Sequence, residues 1–137
     1  MTDKPKLQKS LRHVALTIKN FESCIYFYTK LLDMEIVWKP DADNIYLSSG
    51  DDNLALHRAT AEYNPAAYQH LDHLGFFLKE RQEVDQWHDY LRAHNVVITT
   101  APKDHRDGTR SFYCADPDGN IIQMIYYPIN SPGTRVE

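Results

Sequence analysis

The chain has 137 residues, 15 Lys plus Arg against 19 Asp plus Glu, a formal charge of -4 and 42% hydrophobic residues. A chain of this size buries roughly 68–70% of its unfolded surface and needs no disulfide or metal to hold a core, so a bound metal is expected to serve function. The acidic balance excludes a phosphate-backbone binder, whose affinity comes from Lys and Arg, and no apolar run approaches the ~20 residues that span a bilayer. Residues 1–10 lack the apolar stretch of a secretory signal and read as a disordered tail, like 129–137. Cys24 and Cys114 fall on an apolar helix face and in a strand, the pattern of reduced, buried thiols in a cytoplasmic protein.

In chain order, residues 11–18 alternate. Val14, Leu16 and Ile18 point one way and His13, Ala15 and Thr17 the other, as in a half-buried strand. Asn20 is placed to cap a helix from Phe21 to about Leu32, with Cys24, Ile25, Tyr28, Leu31 and Leu32 at helical spacing. Three strands are expected at 35–39, 44–48 and 53–58, divided by turn formers. A connector over 61–70 follows, and then the same order returns. A strand carries His73, Gly75 and Phe77 on one face, and a helix marked by Val84, Trp87 and Leu91 ends near His94. Strands at 96–100, 110–115 and 121–127 complete the unit, the last two joined by an Asp-Pro-Asp-Gly-Asn hairpin. The chain thus reads as a degenerate tandem repeat, with modules over 11–60 and 71–128. Each is too small to bury a sheet face alone, so both are expected to share one structure. Helices would cover the outer rows and leave the rows beginning at His13 and His73 to line a concavity.

His13 and His73 occupy equivalent positions on the first strand of each module. Divalent transition metals are commonly held by imidazoles plus an oxygen ligand, with open positions for substrate. In the last strand, Gln123 is the polar side chain in the middle of an apolar stretch.

The opening LRHVALTIKNFESCIYFYTKLLDM, the second opening LDHLGFFL and the closing DGTRSFYCADPDGNIIQM resemble the vicinal oxygen chelate superfamily. This superfamily includes glyoxalase I, fosfomycin- and bleomycin-resistance proteins, methylmalonyl-CoA epimerase and extradiol dioxygenases. The resemblance covers residues 11–127 and implies an α+β fold of two tandem βαβββ modules that form a curved mixed sheet, a half-barrel cup with helices outside. It implies a divalent ion, Fe, Mn, Ni or Zn, held by His13, His73 and Gln123, the last standing where the family usually has a glutamate. Aligning Asn53 with Asn120 puts Leu56 opposite Gln123, so the first module's own late ligand is expected to be missing, as in the fosfomycin-resistance group. His57 lies one residue past that position. A one-residue shift reverses the face of a strand, and a bulge could turn His57 inward as a further ligand.

An amide is no general base near neutral pH, so Gln123 disfavours a strict glyoxalase I mechanism. It leaves Lewis-acid polarisation of neighbouring oxygens on a small polar metabolite. Around the cup, Tyr113 is a candidate catalytic group, and Arg110, His105 and Phe77 are candidate substrate contacts, Arg110 as an anion clamp. His70 is expected to end the connector, His88 and His94 to belong to the second helix, and Tyr126 and Tyr127 to pack. Two other readings stand beside the enzyme: a metal-free protein that sequesters a hydrophobic ligand against Phe77, Leu56 and Ile125, as in the bleomycin-resistance branch, or an interaction module with a vestigial site. By analogy the chain is expected to be a homodimer, with His13 and His73 meeting within one chain or across two.

Overall fold

A computed structural model describes residues 11–63, 71–126 and 128 of the chain. The expected tails, the rest of the connector with His70, and Tyr127 lie outside the described residues.

The strand β1 (His13–Ile18) leads into α1 (Phe21–Tyr26), which passes without a break into a wider π-helical turn, Phe27–Leu31. Within it the Thr29 hydroxyl donates to the Ile25 carbonyl at 2.6 Å, taking up the acceptor that a regular α-helix would offer to the Thr29 backbone N–H. The single regular helix expected over 21–32 is therefore two kinds of turn. Its buried side chains are Phe21, Cys24, Phe27, Tyr28 and Leu31. Asp33, at φ 70°, ends it in the left-handed region.

Next come β2 (Glu35–Asp41), β3 (Asn44–Ser48) and β4 (Asn53–Arg58), then β5 (Leu74–Leu78), α2 (Arg81–Ala93), β6 (Val97–Asp104), β7 (Arg110–Ala115) and β8 (Ile121–Tyr126). Strands β2 and β6 run further than the sequence predicts, through Pro40 and Pro102. Both are edge strands with irregular register, and an edge is where a residue without an N–H is tolerated. The fold is α+β: two four-stranded mixed sheets, ordered β1-β4-β3-β2 and β5-β8-β7-β6, with β1 parallel to β4 and β5 parallel to β8. Each sheet carries its helix on one face and opens as a shallow cup on the other.

One core joins the two sheets. It includes Leu16, Ile18, Phe27, Tyr28, Leu47 and Leu56 from the first half with Val84, Leu91, Phe112, Cys114, Ile122 and Met124 from the second. Val14, Leu54, Leu74 and Phe76 line one small cavity of about 130 Å³ at the seam. All four belong to helix-side rows, and Asn53 and Gly75 of the cup rows line the same cavity.

Two carboxylates of the β7–β8 hairpin fasten the seam. Buried Asp116 accepts from Tyr28 Oη at 2.8 Å and from the backbone N–H groups of Asp118 and Asn120, both at 2.9 Å. Asp118 accepts from the backbone N–H groups of Lys19, at 3.1 Å, and Asn20, at 2.8 Å. The sequence assigns the cap of α1 to the Asn20 oxygen, but that side chain makes no cap hydrogen bond. It donates instead to Asp118 and to the Pro117 carbonyl. A full negative charge brought by the distant hairpin satisfies the entry to α1 better than a local amide does.

Candidate metal centre

In the first sheet, the β1–β4 register pairs His13 with Asn53, Ala15 with Ala55, Leu16 with Leu56 and Thr17 with His57. Paired residues share a face, so His13, Ala15, Thr17, Asn53, Ala55 and His57 form the cup row. Leu56, fully buried, belongs to the helix side. The sequence alignment that set Leu56 against Gln123 is one residue out. Ala55 is the counterpart of Gln123, and His57 reaches the cup by plain alternation without a bulge. As a ligand alongside His13, however, His57 fails on distance. It sits four residues further along the sheet, roughly 13 Å at strand rise, too far for one ion.

The His57 Nδ1–H donates to Asn44 Oδ1 at 2.6 Å, and its ring stands edge-on to Tyr46, which stacks on Trp38 with centroids 4.9 Å apart. The His13 Nδ1–H donates to Asn53 Oδ1 at 2.7 Å. In both rings the bond puts a proton on Nδ1, and the neutral imidazole of that tautomer carries its lone pair on Nε2.

In the second sheet His73 stands one residue before β5 and donates Nδ1–H to the Asp72 carboxylate at 2.7 Å. Its ring meets Tyr113 edge-to-face at 5.3 Å. Gly75 pairs with Gln123, and Gln123 with Tyr113, so His73 and Gln123 are diagonal neighbours on one face, within reach of long side chains. A Cβ at Gly75 would come 3.1 Å from the Gln123 carbonyl oxygen, which is why the position suits glycine. The Gln123 amide donates to Ser111 Oγ at 3.1 Å, and Ser111 Oγ lies 2.9 Å from His105 Nε2. His105, Tyr113, Gln123 and Ile125 line a cavity of about 540 Å³ with Lys103 and Arg106. Phe77 is on the same cup row and 61% exposed.

Arg110 does not join them. Alternation along β7 sends Ser111 and Tyr113 to the cup and Arg110 to the helix side, where it donates to both Asp85 oxygens at 3.0 and 2.8 Å and to Asp104 at 3.1 Å. The Arg110 guanidinium draws the Asp85 carboxyl below its usual range. The expected anion clamp is instead a tie between α2 and its sheet. The two thiols are remote from the cup: burial pushes Cys114 up to about 12 and Cys24 higher still.

His13 makes its contacts within the first sheet and His73 within the second, and the two rings share no hydrogen bond or ring contact. Among the described residues no three His, Cys, Asp or Glu side chains converge as a metal cluster. The donor set itself, two oriented imidazoles and an amide oxygen, suits a divalent transition ion. The sequence points to His13, His73 and Gln123 as candidates and does not identify their partners Asn53, Asp72 and Ser111, Asn44 beside His57, or the Trp38–Tyr46 stack. A polar residue at the right parity was the available signal, but which strand it would oppose was not.

Residues 10–124 match the family described as the Glyoxalase/Bleomycin resistance protein/Dioxygenase superfamily. Among curated proteins the chain is similar to the metallothiol transferase FosB of Staphylococcus epidermidis, 24% identical over 116 residues that cover 84% of this chain and 80% of that protein. Among solved structures it superposes on a lactoylglutathione lyase from Agrobacterium tumefaciens with a TM-score of 0.72 at 20% identity, covering 88% of this chain and 96% of that one. It also superposes on a glyoxalase/bleomycin resistance protein/dioxygenase from Nocardioides, with a TM-score of 0.69 at 18% identity, covering 96% and 93%. These two likenesses speak for the fold. The family match spans both cup rows and both candidate histidines, and the chain belongs to the Glyoxalase/Bleomycin resistance protein/Dioxygenase superfamily.

Proposed function

We propose that the chain is a divalent-metal-dependent enzyme acting on a small polar metabolite through two neighbouring oxygens, in a cup completed by a second copy. The observation that carries this reading is the matched presentation of His13 and His73. Each imidazole stands at the opening of its sheet's cup row, holds its Nδ1 proton on a neighbouring oxygen and offers Nε2. With Gln123 they would hold Fe, Mn, Ni or Zn. When bound, the ion supplies a Lewis acid for the substrate oxygens.

The chain's own groups do the rest. Gln123 accepts no proton near neutral pH. Tyr113, edge-on to His73, is placed to orient substrate and to hold a proton at its phenol. His105 and Phe77 wall the cup, polar on one side and apolar on the other.

The exposure of the cups supports the reading of a second copy. Each exposes large side chains, with Trp38 58% and Phe77 61% accessible. A twofold dimer would set the first sheet of one protomer against the second sheet of the other and let the two imidazoles meet. We read 11–60 and 71–128 as the two modules of one domain, and the buried free thiols as suited to the cytoplasm.

A metal-free binder of planar ligands is the second reading, favoured by the exposed Trp38–Tyr46 stack. Titration with Mn, Fe, Ni and Zn under reducing conditions separates the two. The enzyme should take up about one equivalent per chain and gain roughly 2.7 kcal/mol of stability at 100 times the dissociation constant. His13→Ala with His73→Ala should abolish both effects. A melting temperature unmoved by all four ions would favour the binder, and monomers alone in light scattering would remove the shared cup.

A further inference from the structure

The donor that replaces the family's carboxylate is a side chain with two unlike ends. An amide oxygen can ligate a cation. The NH2 group cannot, because its lone pair is delocalised and its protons point outward. A glutamate needs no orientation to present an oxygen, whereas Gln123 presents one in only one of its two flip states. Something must choose.

We propose that Ser111 and His105 are positioning residues that fix this choice, turning Gln123 Oε1 toward the His73 side of the cup. The inference deepens the metal-centre reading and rests on it for its consequence, though not for its geometry. Gln123 Nε2 donates to Ser111 Oγ at 3.1 Å. Ser111 is 2% exposed, so bulk water does not compete for the hydroxyl. Its single proton must go to an acceptor, and His105 Nε2 lies 2.9 Å away. We take His105 as the Nδ1–H tautomer, whose Nε2 accepts from the Ser111 hydroxyl. With the hydroxyl proton committed there, Ser111 can only accept from Gln123, and an acceptor selects the NH2 end.

The oxygen end then lies on the opposite side, toward β5. Gln123 Oε1 lies 3.8 Å from where a Cβ on Gly75 would be, and β5 is the strand that His73 leads into. Gly75 leaves the space open and the His105–Ser111 pair sets the polarity. Neither positioning residue needs to touch metal or substrate.

Two measurements test this. In metal-free protein, the Gln123 side-chain amide protons should show a hydrogen-bonded 15N-NMR signature that is lost in Ser111→Ala and His105→Leu. His105→Gln, which restores an acceptor near Nε2, should keep it. In calorimetric titration with Mn or Zn, Ser111→Ala should weaken binding ~10–100-fold, as loss of an outer partner does. In a Gln123→Glu background, where both ends are oxygen, the same change should cost roughly two- to threefold at most. Equal losses in both backgrounds, or an amide signature indifferent to Ser111, would overturn the proposal. A wild-type protein that takes up no metal yet shows the predicted NMR pattern would remove the metal reading and leave the fixed amide standing.

Discussion

The two sheets share one topology and one parity, yet their cup rows have diverged. In the first, the central cross-strand pair is Ala15 with Ala55; in the second it is Gly75 with Gln123. The first row therefore contributes an imidazole and no neighbouring donor at that site. Further along it carries His57 held by Asn44 beside the Trp38–Tyr46 stack. The second row gathers an imidazole, an amide and a phenol, with a polar cavity alongside. The same strand order occurs twice, and one half carries more polar donors while the other carries the aromatic stack. A centre built from both needs the two rows to face each other.

The sharpest way to break this comparison is through its register. Leu56→Ala should cost about 2–5 kcal/mol, because the side chain is fully buried on the helix side. His57→Ala, on the cup face, should cost less than about 1 kcal/mol. Urea unfolding of the pair checks this, and equal losses would return Leu56 to the cup. Next in size, Gln123→Glu should tighten metal binding at least about tenfold, roughly 1.4 kcal/mol, by placing a charge beside the cation. Unchanged affinity would take Gln123 out of the ligand set.

Asp118→Ala tests the seam between the two halves. Loss of the carboxylate that receives the Lys19 and Asn20 N–H groups should lower stability by about 1 kcal/mol. The smallest effect belongs to Asp85→Asn, on the helix side of the second sheet. The Arg110 bond lowers the Asp85 pKa, so its contribution is present above the ordinary carboxylate range and is lost as pH falls through and below it. The carboxylate is about half exposed, and the variant should lose no more than roughly 1 kcal/mol at neutral pH and almost nothing in strong acid. Unfolding free energies measured across the acid range would show whether the two curves converge.

Much of the architecture was legible residue by residue. Alternation placed Val14, Leu16 and Ile18 opposite His13, Ala15 and Thr17. The Asp-Gly hairpin marks the β7–β8 turn, and the return of strand, helix and three strands gives the repeated order of elements, while the single curved sheet expected is two four-stranded sheets. The misreadings share a cause. Leu56 was set against Gln123 because β4 was aligned through an asparagine rather than through its pairing with β1, forty residues away. Arg110 looked available because Asp85, 25 residues earlier, gives no local sign of claiming it. Asn20 looked like a cap because the competing carboxylate arrives from Asp118, on the other half of the chain.

Period-two alternation and turn chemistry are written within a few residues, and they alone determined which side chains share a face and that His13 and His73 open equivalent rows. The register between strands and the partners that orient each imidazole were decided by the tertiary structure. Ladder hydrogen bonds and core packing join segments from distant parts of the chain, and a one-residue slip there carries a side chain from the core to the cup.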